Sequence, residues 1–382
     1  MNPVWRRGAL ESARLATASG VAQAAALVKQ TLQDLPQNGL GHAPVASATS
    51  LPQALRSLLD RVGVGDLPIP GASPTKSKSA DAGNGEFLAR SFSNQAGSRP
   101  YKLYIPSGYR GEPLPLIVML HGCTQSLDDF ATGTRMNAAA ETEDCFVAYP
   151  GQTSAANHSK CWNWFSPDDQ QRDLGEPSLI AGITRQVMQD YAIDPARVYI
   201  AGLSAGGAAA ANMGSAYPDL YAAIGVHSGL ACGAAHDMTS AFMAMRNGGS
   251  GRMRTEGFSA AGVDGRGLPT IVFHGDRDST VNPSNGDDVV AQLTRAQTTR
   301  PERLVEEGRV PGGHAYTRVL YRETNGRVIC EQWVVHGAGH SWSGGSPAGS
   351  YTDASGPDAT REMLRFFLEH PRRNDLSSGR SR

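Results

Sequence analysis

The chain has 382 residues, a formal net charge of −1, and 40% hydrophobic and 19% charged residues. Those values fit a globular protein with one large α/β domain or two smaller ones. A balanced charge without Lys/Arg-rich runs offers nothing to nucleic acid, and no apolar run approaches the roughly 20 residues that span a bilayer.

In chain order, the first segment is basic, from Met1 to Arg7, but Glu11 and Arg14 interrupt any apolar core of a secretory signal. A cytoplasmic location is therefore the expectation, with export as the alternative. Val21, Ala25, Val28 and Leu32 recur at three- and four-residue steps and predict a helix. Leu51, Leu55, Leu58, Leu59 and Val62 predict a second, so residues 1–65 read as an N-terminal helical segment. Residues 66–86, rich in Pro, Gly, Ser and Lys, read as a flexible linker. Residues 87–370 read as the catalytic domain and 371–382 as a disordered tail.

From residue 87 the texture changes. Tyr101 to Ile105 predicts a strand, and Leu116 to Leu120 a strand buried on both faces. Arg135 to Glu143 predicts a helix, Phe146 to Tyr149 a strand, and Glu176 to Tyr191 a long helix. Val198 to Ala201 is strand and Ala208 to Ala216 helix. Ala222 to His227 and Thr270 to Phe273 are further strands. Asp287 to Leu293 is helical, Leu320–Tyr321 and Val328–Val335 form a hairpin, and Thr360 to Leu368 is the last helix. Apolar strands alternating with helices predict a mostly parallel sheet covered on both faces.

The chemistry centres on Gly202-Leu203-Ser204-Ala205-Gly206. A strand, a Gly-x-Ser-x-Gly turn and an Ala-rich helix form the layout of a nucleophile elbow, which lifts a serine Oγ off the top of a sheet. The pentapeptide alone is weak, since about 0.4 matches arise by chance in this composition. A serine also needs a base, and the base an orienting acid, in the chain order Ser, Asp or Glu, His. The strand ending His274-Gly275-Asp276-Arg277-Asp278 supplies the acid, with Asp278 preferred although spacing does not separate it from Asp276. His340 lies in a Gly-rich loop and is preferred as base over His336, inside a strand, and over His314. The amides of Ala205 and Cys123 are the expected oxyanion donors, Cys123 following the strand that ends at Leu120.

Trp162 and Trp164, with Trp342 just after His340, read either as core or as walls of an ester pocket. No second His or Cys stands at ligand spacing near His121, so no metal is expected, nor any cofactor. The five cysteines are too few for a disulfide framework, though one or two bridges suit an exported chain.

Together, His121-Gly122-Cys123-Thr124-Gln125, Cys161-Trp162-Asn163-Trp164-Phe165, the Ser204 elbow, His274-Gly275 with Asp278 and Val281, and Gly339-His340-Ser341-Trp342 resemble the poly(3-hydroxybutyrate) depolymerase family of esterases, relatives of feruloyl and acetylxylan esterases. The resemblance runs over about residues 88–370. It implies the α/β-hydrolase fold, and its pattern puts the acid at Asp278 and the base at His340. The expected function is a serine esterase acting on polyester, oligoester, short-acyl or feruloyl esters. The alternatives are a peptidase or acyltransferase on the same fold, or a non-catalytic binding module. Oligomeric state is not legible.

Overall fold

The computed structural model describes residues 84–248, 267–295, 297 and 299–372. The N-terminal helices and the linker expected before residue 84 lie outside the described residues, as does the tail from residue 373.

Twelve strands and seven helices are formed among the described residues. The strands β1 (Glu86–Asn94), β2 (Gly97–Ile105), β3 (Leu114–Leu120), β4 (Phe146–Pro150), β5 (Ile193–Leu203), β6 (Ala223–His227), β7 (Thr270–Gly275), β8 (Glu302–Arg309), β9 (Ala315–Arg322) and β10 (Val328–Val335) make one sheet. Its order is β1-β2-β4-β3-β5-β6-β7-β10-β9-β8. The six strands from β4 to β10 pair in parallel, and an antiparallel pair closes each side. Every residue of β3, β4, β6 and β7 is buried, in keeping with mostly apolar strands covered on both faces. The outermost strands β1 and β8 are largely exposed. β8 carries Glu302, Arg303, Glu306, Glu307 and Arg309, charges that discourage pairing with another chain. Strands β11 (Trp342–Ser343) and β12 (Thr352–Asp353) form a small separate ladder.

The helices are α1 (Leu127–Thr134), α2 (Met136–Thr142), α3 (Gly175–Asp190), α4 (Ala205–Ala216), α5 (Met238–Asn247), α6 (Ser284–Arg295) and α7 (Ala359–Glu369). On one face of the sheet, Ile180, Ile183 and Val187 of α3 and the Ala-rich α4 cover β3, β4 and β5. On the other, Met136 and Ala140 of α2 and Met363, Phe366 and Phe367 of α7 do so. The predicted α/β-hydrolase sandwich is therefore present, with α1, α5, β1, β8 and the β11–β12 ladder added.

The connection from β3 runs through α1 and α2 to β4 on one side of β3. The connection from β4 runs through α3 to β5 on the other side. The carboxyl ends of β3 and β5 thus flank the point where strand order reverses, where open α/β sheets bind ligands.

Candidate active site

Ser204 stands between β5 and α4 with φ 58° and ψ −121°, a backbone conformation that costs a non-glycine residue on the order of 1–3 kcal/mol and clusters at functional sites. Two glycines make the turn possible. A Cβ on Gly202 would lie 2.3 Å from the Gly206 backbone, and one on Gly206 would lie 2.1 Å from the Leu120 carbonyl oxygen. The Ser204 amide donates to the His227 carbonyl at 2.9 Å, which ties the elbow to the end of β6. Among the described residues, the Ser204 Oγ has no hydrogen-bond partner.

Asp278 lies just beyond β7. Its Oδ1 accepts from the amides of Thr280 (2.8 Å) and Val281 (2.9 Å). Its Oδ2 meets His340 Nδ1 at 2.7 Å and His274 Nε2 at 3.3 Å. Burial alone pushes this carboxyl up. The hydrogen bonds from His274, His340 and the Val281 amide outweigh it and hold the group below the ordinary carboxylate range. Asp278 is thus an anion with four donors around it. The rival residues pair with each other: Asp276 Oδ2 is 2.9 Å from His336 Nδ1, and its Oδ1 accepts from the Gly337 amide at 2.7 Å. His314 Nε2 is 2.9 Å from Asp353 Oδ2. Of the three histidines, His340 is the one brought to Asp278.

The segment after β3 is braced from four directions. His121 is buried, with Nδ1 2.7 Å from the Gly122 carbonyl, and its Nε2 accepts from the Gln152 amide at 3.0 Å. Burial lowers its pKa to about 4, so the ring is neutral. The Trp162 indole N–H donates to the His121 carbonyl at 3.2 Å. The Thr124 amide donates to the Ser159 carbonyl at 2.7 Å. A disulfide joins Cys123 to Cys161. Beneath it, Glu176 accepts from the Asn163 amide and from Asn163 Nδ2, both at 2.8 Å, and from Gln152 Nε2, with Arg99 at 3.6 Å. Leu120 pairs with Gly202 across β3 and β5, so Cys123 and Ala205 each follow a ladder partner by three residues. Among the described residues neither amide has an internal acceptor.

Two of the expected pocket walls are corrected. Trp162 is 0% exposed and Trp342 1%. The Trp342 ring stacks on His227 at 4.9 Å, meets Phe130 edge-on, and donates its N–H to Thr360 Oγ1 at 3.0 Å. Both indoles are core, because in each the polar edge has a buried partner and the faces are packed. Trp164 retains 5% exposure.

Sequence reasoning missed three features. His227 is buried between Phe273 and Trp342 and accepts from the Ser343 amide at 3.0 Å. His274 lies beside the Asp278 carboxylate, a contact signalled in sequence only by its place in the His274-Gly275 and Asp278 motif. The Cys123–Cys161 bridge had none beyond cysteine count. The other cysteines, Cys145, Cys232 and Cys330, are free and buried.

Among the described residues no helix is long and apolar enough to cross a membrane. The family described as esterase PHB depolymerase matches residues 99–300. The chain is 32% identical over 271 residues to poly(3-hydroxyalkanoate) depolymerase C of Paucimonas lemoignei, covering 69% of this chain and 62% of that one. It is 28% identical over 200 residues to feruloyl esterase B of Thermothelomyces thermophilus, covering 50% of this chain and 67% of that one. Its fold resembles the acetyl xylan esterase structure from Aspergillus awamori, with a TM-score of 0.54 at 18% identity over 71% of this chain and 94% of that one. With the elbow, the paired Asp278 and His340, and these likenesses, the chain belongs to the esterase PHB depolymerase family.

Proposed function

We propose that the protein is a serine hydrolase that cleaves carboxylic esters, its catalytic unit lying within residues 87–370. The observation that carries the reading is the 2.7 Å contact between His340 Nδ1 and Asp278 Oδ2, on the sheet edge that also bears the strained Ser204. Ser204 attacks the ester carbonyl while His340, through Nε2, takes its proton. The Ala205 and Cys123 amides, both without internal acceptors, hold the oxyanion of the tetrahedral intermediate. His340 then protonates the leaving alcohol and activates the water that frees the acid. Asp278 orients the imidazole and stabilises its charged form.

The substrate class proposed is a polyester or oligoester of the hydroxyalkanoate kind, or a short-acyl or feruloyl ester. The names of the relatives support that range. Of the three tryptophans, Trp164 keeps the most surface for an acyl group. The Cys123–Cys161 disulfide favours an oxidising compartment, and hence export over the cytoplasm.

Ser204→Ala should fold as the parent does and lower turnover of p-nitrophenyl butyrate by about 10⁴-fold or more. Wild-type turnover in that variant would refute the reading. A fluorophosphonate probe should label the parent and not the variant. Free acid as the product, without acyl transfer to an added alcohol, separates a hydrolase from an acyltransferase.

A further inference from the structure

The Asp278 carboxylate has a second imidazole. His274, next to last in β7, is buried. Its Nε2 lies 2.9 Å from the Val281 carbonyl oxygen and 3.3 Å from Asp278 Oδ2. Both neighbours are acceptors, so Nε2 carries a proton, donating to the Val281 carbonyl with the Asp278 carboxylate close beside it. Its Nδ1 is buried without a partner. An N–H there would be orphaned at a cost of about 1–3 kcal/mol, which favours the tautomer with its hydrogen on Nε2.

We propose that His274 is a positioning residue, which shares Asp278 Oδ2 with His340 and so limits how strongly that carboxylate supports His340 as a base. This rests on the roles given above to Asp278 and His340. The carboxylate does not need His274 to stay in place, because two backbone amides hold its Oδ1. The Val281 carbonyl would satisfy the ring by itself. The contact left over falls on the same oxygen that receives the His340 proton. A donor at that oxygen draws electron density from it, leaving less for an imidazolium at His340. The other groups facing this cluster are few. His227, on β6, is neutral because burial holds it well below its ordinary pKa. From α6 the ring meets the Gly286 backbone, where a Cβ would lie 3.1 Å from Nδ1.

The test is the pH profile of kcat/KM on p-nitrophenyl butyrate for the full chain. His274→Leu removes the donor, and the acid limb should move up by about half a pH unit or more. His274→Gln, whose amide reaches the Nε2 position, should return the limb to the wild-type value. A limb that stays or moves down in His274→Leu overturns the proposal, whatever happens to stability or kcat. Should the leucine variant not fold, His274→Asn removes the same donor, since its amide ends near the level of Nδ1. Where turnover is too low to profile, the ¹⁵N NMR titration of His340 in Ser204→Ala, with and without His274→Leu, reads the same shift. The two failures are separable. An active Ser204→Ala sinks the triad, whereas an inactive Ser204→Ala with an unmoved acid limb sinks His274 alone.

Discussion

At the scale of single residues, three histidines at one end of the sheet each take a different carboxylate. His340 takes Asp278, His336 takes Asp276 and His314 takes Asp353. The sequence singled out Asp278 and His340, but spacing alone did not separate Asp278 from Asp276, since both are acidic, both beyond β7 and two positions apart. Burial separates them: Asp278 is enclosed and Asp276 is partly exposed. Asp278→Asn should therefore lower kcat by about 10⁴-fold, since an amide does not hold the imidazole in the required tautomer. Asp276→Asn should leave turnover near wild type. A crippled Asp276→Asn beside an active Asp278→Asn, measured on the same ester, would reverse the assignment. The tryptophans mark the limit of reading at this scale. An aromatic cluster has the same sequence signature whether it packs a core or lines a cleft, and the buried hydrogen bonds of Trp162 and Trp342 decide for core.

At the scale of elements, the strands most plainly written in the sequence are those buried on both faces. β3, β6 and β7 are mostly apolar and buried along their whole length. β1 and β8 were hidden because an exposed edge strand carries no hydrophobic signal. β5 begins at Ile193, earlier than its apolar run, because Asp194 to Arg197 extend it with residues that are not fully buried. The Asp278–His340 contact and the tight turn at Ser204 were foreseeable because chain order and the Gly-x-Ser-x-Gly pattern constrain them. His227 and His274 were not, since their roles come from contacts across neighbouring strands. The segment after β3 depends on a covalent tie 38 residues long in sequence. Replacing Cys123 and Cys161 together by alanine should cost about 3–4 kcal/mol of stability by the loop-closure argument. Urea unfolding checks this. If the Cys123 amide serves the oxyanion as proposed, the same variant should lose more in kcat than in KM. An unchanged kcat would remove that amide from the mechanism.

At the scale of the whole molecule, buried ionisable groups set opposing pH dependences of stability. Burial, aided by nearby Asp169, pushes Glu176 up to about 7. The folded chain therefore binds one more proton than the unfolded chain between the ordinary carboxyl range and about pH 7. Stability falls as pH rises through that window. His121, lowered to about 4 by burial, acts in the opposite sense. There the unfolded chain binds the extra proton, and stability falls as pH drops from about 6.5 toward 4. Glu176→Gln removes only the first effect. Its stability relative to wild type should rise between pH 5 and 8, by up to about 3 kcal/mol, in urea unfolding at each pH. A constant difference would show that Glu176 is ionised throughout.

The strand order divides the machinery into two blocks. Ser204 and the expected donor amides follow β5 and β3, while Asp278 and His340 follow β7 and β10. β6 is the seam, and His227 at its end is fastened to both sides, accepting from the Ser204 amide through its carbonyl and from the Ser343 amide through its ring. One residue, through its carbonyl on one side and its ring on the other, therefore spaces the segment bearing Ser204 from the segment after His340, much as a spacer sets the gap between two jaws.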